Sequence, residues 1–436
     1  MSFQKVFTRW TDDPASHTLA FYESKGGYES ARKAIRDWAP DDLIEEVKAS
    51  NLRGRGGAGF PTGVKWGFVP KQTDKPKYLA VNADESEPGT FKDRVIMEKY
   101  PHQLLEGIII SCWAVGIHTA YIYIRGEYVF AYRRLVEAIE EAYAKGYLGD
   151  KVLGTDFKLD VTVHRGAGAY ICGEETGMLT SLEGERGQPK LKPPFPAIEG
   201  LFGCPTVVNN VETLANLPYI LEIGSEAYKK VGPERSPGPK LFCVSGHVER
   251  PGTYELPMGV NLLSLINDTC GGIWKGRKLK AVIPGGSSAH VLHADECDVA
   301  MDIESLAAAG SMLGSAGVIV MDDQTCMVNA LVNVMRFYHH ESCGQCTPCR
   351  EGTGWLEKIV HRIAYGHGKR EDLERIDQIC GRMVGKTICV LADAAAFPAW
   401  SFTQKFRDEF LQCIDNGGSP AVKARHPDRI GGGLHV

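Results

Sequence analysis

The sequence has no excess of basic residues, no low-complexity tract and no internal repeat. Lys and Arg number 49 against 54 Asp and Glu, a formal net charge of −5, so there is no electrostatic reason to expect nucleic-acid binding. The first residues show neither the apolar core of a secretory signal nor an Arg- and Ser-rich transit pattern. With 43% hydrophobic and 24% charged residues in a chain of 436, we expect a soluble globular protein of roughly two to four domains.

The sequence also lacks a clear membrane-spanning segment. Residues 107–124 carry no formal charge, and this length of 18 residues is near the lower limit for crossing a bilayer. His118 and Thr119 interrupt the stretch, with helix-period apolar residues before them and strand-like alternation after them. We therefore expect a buried helix that leads into a strand, and no direct membrane insertion.

Cysteine is plentiful, but its distribution does not suggest disulfide bonds. The chain has 13 cysteines, an odd number, and most of them stand singly within apolar runs, as Cys112, Cys243 and Cys326 do. A secreted protein held together by disulfides would show paired, regularly spaced cysteines. The pattern therefore favours a reducing compartment.

Cys343, Cys346 and Cys349 form a C-x-x-C-x-x-C motif, which brings three thiolates close to one centre. A [4Fe–4S] cluster takes four thiolates, so the fourth must come from elsewhere in the chain. Cys380 lies on the apolar stripe of an expected helix. Cys389 has loop sequence on its N-terminal side and can turn toward the motif. We predict that Cys389 is the fourth ligand.

A structural zinc ion is the alternative at this site. Zinc also accepts four thiolates, or three together with a histidine, and His339 and His340 stand close to the motif. Zinc sites usually use paired C-x-x-C segments, whereas three cysteines in one run are typical of iron–sulfur proteins. The two histidines are more simply explained as polar residues at the end of a helix.

Strands and helices alternate in the first part of the chain. The apolar pattern predicts a short helix from Pro40, strands at 78–81, 120–125 and 159–163, and helices near 101–116 and 128–145. This alternation predicts an α/β sheet covered by helices. From about residue 240 we expect a small β-β-α-β unit. After Asp323, four apolar stripes at helical spacing predict a helical bundle.

Three segments carry residues suited to a ligand. The loop 54–63 satisfies G-x-G-x-x-G, but a helix precedes it, so it is not an ordinary Rossmann phosphate loop, and a flexible helix exit is equally compatible. Residues 166–176 combine glycines with two adjacent carboxylates, which acids at a helix start would also explain. Residues 205–213 pair two asparagine amides, for which an asparagine turn is the plainer interpretation.

Taken together, five segments in this order closely resemble the NADH-binding flavoprotein subunits of respiratory complex I, the NADH:quinone oxidoreductase. The segments are residues 52–63, 82–89, 168–176, 209–213 and 341–352. The resemblance extends from about residue 26 to about residue 410. Five long motifs in one order are far more specific than any one of them.

The resemblance implies FMN, one [4Fe–4S] cluster and NADH as substrate. It assigns the FMN site to Arg55, Gly56, Lys65, Asn82, Asp84, Glu85, Tyr170, Gly173, Glu174, Val208, Asn209, Asn210 and Thr213. It assigns the NADH site to Gly54, Gly57, Gly59, Phe60, Gly63, Phe68, Glu87, Glu175, Lys192 and Phe195. It assigns the cluster to Cys343, Cys346, Cys349 and Cys389. No catalytic acid or base is expected, since the hydride passes directly between the two cofactors.

The resemblance also implies an architecture and a setting. We expect an N-terminal helical segment with the Gly-rich loop (1–66), a Rossmann-like FMN and NADH domain (67–237), a ubiquitin-like β-grasp domain (238–323) and a four-helix bundle carrying the cluster (324–436). The expected partners are the small [2Fe–2S] subunit and the larger iron–sulfur subunit of complex I. The expected location is cytoplasmic, in the peripheral arm of an inner-membrane complex that feeds electrons to quinone.

Two other functions remain to be weighed. Similar flavoprotein subunits serve as the diaphorase of NAD-linked hydrogenases and formate dehydrogenases, often with extra fused iron–sulfur domains. No cysteine precedes Cys112 or follows Cys413 here, which favours the complex I type. A zinc-stabilised scaffold without catalysis is the remaining alternative, and it requires every flavin and dinucleotide motif to be coincidental.

Overall fold

The computed structural model describes residues 3–425, which form two β-sheets and a helical C-terminal region. The part up to residue 238 contains strands β1 (Tyr78–Ala83), β2 (Thr119–Ile124), β3 (Asp160–Arg165) and β4 (Thr206–Asn210). Its helices are α1 (Leu19–Ser24), α2 (Glu29–Asp37), α3 (Pro40–Ala49), α4 (Thr62–Gly67), α5 (Asp93–Lys99), α6 (Pro101–Val115), α7 (Val129–Lys145), α8 (Glu175–Leu182), α9 (Val211–Ala215), α10 (Leu217–Ile223) and α11 (Ser225–Tyr228).

The rest of the chain adds a second sheet and the C-terminal helices. The second sheet contains β5 (Pro239–Gly246), β6 (Gly252–Pro257), β7 (Leu279–Ile283), β8 (Leu292–His293) and β9 (Gly317–Asp322), with helices α12 (Leu262–Ser264) and α13 (Ile303–Ala308). The C-terminal helices are α14 (Met327–Glu341), α15 (Thr347–Ala364), α16 (Glu371–Met383), α17 (Leu391–Lys405), α18 (Arg407–Asp415) and α19 (Pro420–Arg425).

The first sheet is parallel throughout, with strand order β3-β2-β1-β4. The chain moves outward from β1 through β2 and β3, and then returns to the opposite side of β1 to form β4. The connections on the two sides of β1 therefore run in opposite directions, which opens a crevice at the carboxyl ends of β1 and β4. Asn82 and Asn210 are register partners at this point. In open parallel sheets, ligands bind in such a crevice.

The three strands expected in this part are confirmed as β1, β2 and β3, within a few residues of the predicted bounds. The interpretation of residues 205–213 as an asparagine turn is wrong, because residues 206–210 form strand β4. Thr206, Val207 and Val208 are β-branched and buried, which favours a strand. Asn210 then accepts a hydrogen bond from the Glu212 N–H with its side chain and so begins α9.

Helix α6 accounts for the uncharged stretch at 107–124. Almost all of its residues are buried, and Gly116 ends it in the left-handed conformation at φ 72°. Strand β2 begins at Thr119, so a buried helix leads into a strand, as predicted. Within residues 3–425 no helix is both long enough and apolar enough to cross a membrane.

The N-terminal helices pack on the first sheet. Buried side chains such as Leu43 of α3 and Trp66 of α4 belong to the same apolar cluster as Leu79 of β1 and Ile109 of α6. Helix α4 runs to Gly67 and thereby crosses the expected boundary at residue 66. The Gly-rich loop between α3 and α4 is consequently held against the sheet from both ends.

The second sheet is mixed, with strand order β6-β5-β9-β7-β8. Strands β5 and β9 are parallel, and the other neighbouring pairs are antiparallel. The predicted β-β-α-β unit is confirmed in β5, β6, the helical turns at 262–269 and β7. Strands β8 and β9 were not predicted, although β9 lies at the centre of the sheet. Its run at 317–322 is almost continuously apolar, so periodicity does not separate a strand from a buried helix there.

Helices α14 to α17 pack in a ring that is closed by the contact between α14 and α17, and α15 also contacts α17 across it. Three of the predicted helical stripes correspond to α14, α15 and α16. The fourth stripe divides between two helices, because α17 ends at Lys405 and α18 begins at Arg407. Residues 426–436 of the expected C-terminal domain lie outside the described residues.

Candidate functional site

Three asparagines occupy the crevice at the carboxyl ends of β1 and β4, and each holds a neighbouring segment. The Asn82 amide donates to the Gly173 carbonyl at 2.8 Å. The Asn209 side-chain oxygen accepts from the Trp66 indole N–H at 2.9 Å. The Asn210 amide donates to Asp93 at 2.6 Å. The amides therefore fix the walls of the crevice, which brings the predicted residues of these segments together.

The Gly-rich loop lies across the end of β4. The Arg55 backbone N–H donates to the Thr213 hydroxyl at 2.8 Å. A Cβ atom at Gly56 would lie 3.1 Å from the Asn210 Cβ, so a side chain there would crowd the strand end. Gly57 at φ 127° and Gly59 at φ 64° take conformations that favour glycine. The backbone of this loop can thus approach a ligand in the crevice closely.

Phe60 and Phe68 form an exposed aromatic pair at the outer end of this loop. Their ring centroids are 6.1 Å apart with an interplanar angle of 50°. Both remain open to solvent, with 42% of Phe60 and 54% of Phe68 exposed. Aromatic faces exposed beside a binding loop suit stacking with a planar group such as adenine.

Asp84 presents an unpaired carboxyl oxygen at the end of β1. Its Oδ2 atom accepts from the Ser86 hydroxyl at 2.6 Å, whereas its Oδ1 atom is buried without a partner. Burial raises the pKa of Asp84 to about 7. Asp84 is almost fully buried, and a Cβ atom at Gly173 would lie 3.2 Å from its Oδ2 atom, so a side chain at this glycine would crowd the carboxyl.

Glu85, another predicted FMN residue, uses its carboxylate within the protein. It accepts from the backbone N–H groups of Asp93 at 2.6 Å and Arg94 at 3.0 Å, at the start of α5, and from the Tyr128 hydroxyl at 3.1 Å. Burial, together with the Asp93 charge, raises the pKa of Glu85 to about 7. Its backbone is left-handed at φ 40°. Its backbone carbonyl accepts from the Arg125 guanidinium at 3.0 Å, so both ends of Glu85 are engaged within the protein.

The two adjacent carboxylates at 174 and 175 have different roles. Glu174 caps α8 by accepting from the N–H groups of Thr176 at 2.8 Å and Gly177 at 2.9 Å, as helix-start acids do. Glu175 pairs with the Lys192 ammonium at 2.9 Å. Lys192 also reaches Glu174 at 3.3 Å.

Lys65 extends from α4 to the Val208 carbonyl at 3.1 Å. Burial lowers the pKa of Lys65, and the Glu175 charge opposes that shift. Phe195, also predicted for the NADH site, is exposed near Lys192 in sequence. Lys65, Val208 and Glu175 thus lie on one side of the crevice.

Glu87 and Tyr170 are in direct contact. The Tyr170 hydroxyl donates to Glu87 Oε2 at 2.6 Å. The Tyr170 backbone N–H donates to Glu341 Oε2 at 2.9 Å, and Glu341 is the last residue of α14. The flavin-motif segment at 168–176 is therefore tied to the helix that precedes the cysteine motif.

A fully buried group of charges next to the loop was missed by sequence reasoning. Glu212 contacts the ammonium groups of Lys240 at 2.6 Å and Lys92 at 2.9 Å. The Arg55 guanidinium donates to the Pro237 carbonyl at 2.6 Å, while its Nε and Nη1 atoms have no partner. Glu212 belongs to the segment 205–213, which was singled out for its two asparagines. Its place in that segment was the sequence signal that could have pointed to this group of charges.

The four predicted cluster cysteines line one cavity between α15 and α17. The cavity is lined by Cys343, Cys346, Cys349 and Cys389 together with Ile171, Ser342, Gln345, Thr387, Ile388 and Leu391. The Ile388 N–H donates to Cys346 Sγ at 3.4 Å. Burial raises the pKa of Cys389 to about 12, so a bound metal must supply the positive charge that stabilises the thiolate. Ile171 belongs to the flavin-motif segment, which therefore reaches the cavity wall.

The other candidate ligands, Cys380 for the fourth thiolate and His339 and His340 for a zinc ion, are not among the residues that line this cavity. Cys380 is buried on α16, with its thiol 3.8 Å from the Ala396 carbonyl oxygen. His339 pairs with Glu357, and His340 is exposed on the surface of α14. Among residues 3–425, no three His, Cys, Asp or Glu side chains converge as the ligands of a single ion would. The thiols that line the cavity are those of the four cysteines of the predicted site.

Comparisons with known proteins agree with this arrangement. The model of the Nuo51 FMN-binding domain matches residues 47–219, an SLBB domain matches residues 240–320, and the NADH-ubiquinone oxidoreductase-F iron-sulfur binding region matches residues 329–413. The second NADH-quinone oxidoreductase F-subunit of Rhizobium meliloti is 57% identical over 418 residues, which cover 96% of this chain and 99% of that protein. The chain belongs to the family of NADH-quinone oxidoreductase F-subunits.

One further relative and one solved structure are also similar to the chain. The NADH-quinone oxidoreductase F-subunit of Streptomyces coelicolor is 51% identical over 420 residues, covering 96% of this chain and 93% of that protein. In a crystal structure of an NAD⁺-reducing [NiFe]-hydrogenase in the air-oxidised state, one chain is 36% identical with a TM-score of 0.81. That match covers 94% of this chain and 67% of the hydrogenase chain.

As a member of this family, the chain is an NADH dehydrogenase flavoprotein subunit that oxidises NADH through FMN and passes electrons to a [4Fe–4S] cluster. Its residues fit both groups. The crevice contains a buried carboxyl oxygen of Asp84 without a partner and a glycine loop that permits close approach. The cavity between α15 and α17 supplies four thiols, the number that a [4Fe–4S] cluster takes.

Proposed function

We propose that NADH is oxidised in the crevice between β1 and β4, with the flavin held at the strand ends and the dinucleotide held by the Gly-rich loop. The unpartnered Oδ1 atom of Asp84 is the observation that carries this proposal. A buried polar atom without a partner costs free energy, and a hydrogen-bonding edge of a ligand would satisfy it. With a pKa of about 7, Asp84 is protonated in about half of the molecules at neutral pH, and the protonated form can donate to an acceptor atom of such an edge.

The proposed FMN site comprises side chains and backbone from both edges of the crevice. Its residues are Arg55, Gly56, Lys65, Asn82, Asp84, Glu85, Tyr170, Gly173, Glu174, Val208, Asn209, Asn210 and Thr213. Lys65 is the best placed of these for an anion, because its ammonium is largely buried and has only a carbonyl oxygen within hydrogen-bond distance. Glu85 contributes through its backbone, since its carboxylate caps α5.

The proposed NADH site follows the loop outward to the surface. Its residues are Gly54, Gly57, Gly59, Phe60, Gly63, Phe68, Glu87, Glu175, Lys192 and Phe195. The exposed faces of Phe60 and Phe68 support stacking of the adenine. Glu87 and Glu175 are carboxylates suited to ribose or nicotinamide hydrogen bonds.

The protein's part in the reaction is alignment. The crevice residues would hold FMN, which would supply hydride acceptance from NADH and one-electron release toward the cluster. The loop, the asparagines and Glu87 hold the two ring systems in a reactive orientation, which is the main contribution a protein makes to a direct transfer. Cys343, Cys346, Cys349 and Cys389 are the proposed ligands of the cluster, next to Ile171 of the flavin-motif segment.

The chain is proposed to divide into four domains. We propose an N-terminal helical segment (1–66), a Rossmann-like domain (67–237), a ubiquitin-like β-grasp domain (238–323) and a four-helix bundle with the cluster (324–436). The mixed sheet β5–β9 around one apolar cluster supports the third unit. The ring of α14 to α17 supports the fourth.

We further propose that the chain works with a small [2Fe–2S] subunit and a larger iron–sulfur subunit in the peripheral arm of an inner-membrane, quinone-reducing complex on the cytoplasmic side. The names of the relatives from Rhizobium meliloti and Streptomyces coelicolor support this assembly. The likeness to a chain of an NAD⁺-reducing hydrogenase supports a diaphorase as the second candidate. Affinity purification from the native host separates them, because the two assemblies contain different partner enzymes.

The proposed site is tested on anaerobically purified protein. Denaturation is expected to release FMN, and NADH is expected to bleach the flavin absorbance before denaturation. Asp84→Ala is expected to lower the FMN content, whereas Asp156→Ala on the surface is expected to leave it unchanged. Release of FAD, no flavin, or an unaltered FMN content in the Asp84 variant would contradict the proposed flavin site.

A further inference from the structure

Glu87 lies where all three parts of the chain meet. It follows β1, and its Oε2 atom accepts from the Tyr170 hydroxyl at 2.6 Å. Its Oε1 atom accepts from the Ser288 backbone N–H at 2.8 Å and from the Ser287 hydroxyl at 3.4 Å. Ser287 and Ser288 belong to the unit that contains the second sheet. A glutamate side chain with several rotatable bonds is thus held at both oxygens.

The loop at 285–288 fits closely around this glutamate. A Cβ atom at Gly286 would lie 2.5 Å from the Glu87 Cγ, and Gly286 has φ 95°, so glycine alone suits the position. The Ser287 N–H donates to the Pro88 carbonyl at 3.1 Å, and the Gly286 N–H donates to the Gly317 carbonyl of β9 at 2.8 Å. The loop is therefore fixed to its own sheet and to the turn that carries Glu87.

Tyr338 of α14 extends this network to the cysteine-bearing region. Its side chain is fully buried, and its hydroxyl lies 2.9 Å from the Ser287 hydroxyl. A carboxylate only accepts hydrogen bonds, so Ser287 is the donor in its contact with Glu87, and its hydroxyl oxygen can then accept from Tyr338. The Tyr338 and Tyr170 rings also meet edge to face, with centroids 6.1 Å apart.

We propose that Ser287 and Tyr338 are positioning residues for NADH binding, acting through Glu87. This inference rests on the proposed contact between Glu87 and NADH. Tyr338 orients the Ser287 hydroxyl, Ser287 and the Ser288 N–H fix one oxygen of Glu87, and Tyr170 fixes the other. The carboxylate then meets the dinucleotide in a single orientation, without reorganisation on binding. Neither Ser287 nor Tyr338 has a place in the flavin or dinucleotide motifs.

The expected signature is a change in KM with little change in kcat. Glu87 is expected to bind NADH equally strongly in the substrate complex and in the transition state. Loosening its side chain therefore weakens both complexes by the same amount, which raises KM and leaves kcat nearly unchanged. For NADH oxidation with ferricyanide as acceptor, Ser287→Ala and Tyr338→Phe in the full cofactor-loaded complex should each raise the KM for NADH about three- to tenfold, as for loss of one hydrogen bond. The double variant should raise it no further than the larger single effect, because both residues act through one contact.

Two variants provide matched controls. Tyr28→Phe removes a buried hydroxyl that contacts His102 at 2.8 Å in the core beneath the first sheet. Ser111→Ala removes a buried hydroxyl that donates to Ile108 within its own helix. Both should leave the KM for NADH unchanged. Flavin content and melting temperature are measured for every variant. If Tyr338→Phe does not fold, the proposal is tested with Ser287→Ala alone.

The Ser287 and Tyr338 substitutions are also tested in the Glu87→Ala variant, which lacks the carboxylate through which they are proposed to act. In that variant, adding Ser287→Ala or Tyr338→Phe should have no further effect on KM, whereas a purely structural role would persist. If Glu87→Ala raises KM but the folded Ser287→Ala enzyme keeps the wild-type value, the positioning role is overturned and the Glu87 contact stands. If Glu87→Ala leaves KM unchanged, the proposed NADH contact itself fails, and the positioning role fails with it.

Discussion

Lys240, on the first strand of the second sheet, contacts Glu212 at the start of α9 at 2.6 Å, and both side chains are fully buried. Glu212 also accepts from the Leu241 N–H at 2.8 Å and pairs with Lys92 at 2.9 Å. The contact joins the unit of the first sheet to the unit of the second. Burial alone would raise the pKa of Glu212, but Lys240 and Lys92 outweigh it and hold that pKa at about 2.

Glu212→Ala should destabilise the chain strongly. The change leaves Lys240 buried without its counter-charge, and breaking a buried pair in this way costs about 3–5 kcal/mol. Thermal and denaturant unfolding measure the loss, with Glu226→Ala, which removes an exposed pair with Lys229, as the control expected to show no measurable change. The contribution of Glu212 is present above its unfolded pKa near 4.5 and is lost as the pH falls toward 2. A Glu212 variant as stable as wild type would contradict this role.

Cys389→Ser should remove the iron–sulfur cluster, whereas Cys380→Ser should retain it. Cys389 lines the cavity with the three motif cysteines, and Cys380 is a buried thiol of α16 outside that cavity. Iron and sulfide analysis of anaerobically purified protein should give about four irons per chain for wild type and for Cys380→Ser. Zinc in place of iron, or full iron content in the Cys389 variant, would refute the ligand set.

Phe60→Ala should weaken binding of NADH but not of reduced nicotinamide mononucleotide, which lacks the adenine. Loss of one stacking face costs about 0.5–1.5 kcal/mol, so the KM for NADH should rise about two- to tenfold. The matched control is Phe130→Ala, which removes a similarly exposed phenylalanine at the start of α7. Equal effects on both substrates would show that Phe60 does not contact the adenine end.

Asp84→Asn should stabilise the flavin-free chain above neutral pH. Burial raises the pKa of Asp84 from 3.8 to about 7, so the folded state keeps a proton that the unfolded chain releases between these values. The stability of the wild type therefore falls as the pH rises from about 4 to about 7, by up to about 4 kcal/mol, and then levels off. Asp84→Asn has no carboxyl group at this position, so its stability should not fall in this way as the pH rises.

Melting temperatures at pH 4 and pH 8 provide the measurement. Wild type and Asp84→Asn should be similar at the lower pH, and the variant should be the more stable at the higher pH. Asp156→Asn changes an exposed carboxylate and controls for net charge. A difference of the same size at both pH values would indicate a packing effect instead of a buried charge.

The sequence predicted the parallel strands well, because local patterns determine them. β2 is made mostly of β-branched and aromatic residues, and β1 and β3 contain some of each type or several valines and threonines, between helices with apolar faces. These signals need no information from distant residues. β4 was missed because Asn209 and Asn210 at its end are typical of turns. β9 was missed because a strand buried on both faces has no alternation.

The candidate site was predicted as a set of segments but not as a set of contacts. Glu85 and Glu174 stand in ligand-like motifs, yet their carboxylates cap helices. Tyr338 lies on an apolar stripe typical of a core residue, and its polar end meets Ser287, a residue of another unit. Lys240 pairs with Glu212 over a separation that no local pattern reveals. Such pairings depend on how the units dock, which the spacing of residues along the chain does not encode.

Tyr170 and Ile171 are consecutive, yet one contacts Glu87 in the proposed NADH site and the other lines the cavity of the four cysteines. Along this segment, the proposed NADH site and the proposed cluster site are thus one peptide unit apart. One inserted residue could lengthen that gap by up to about 3.6 Å, and tunnelling rates fall exponentially with distance. A change in the length of the segment at 168–176 would therefore shift the two proposed sites relative to one another.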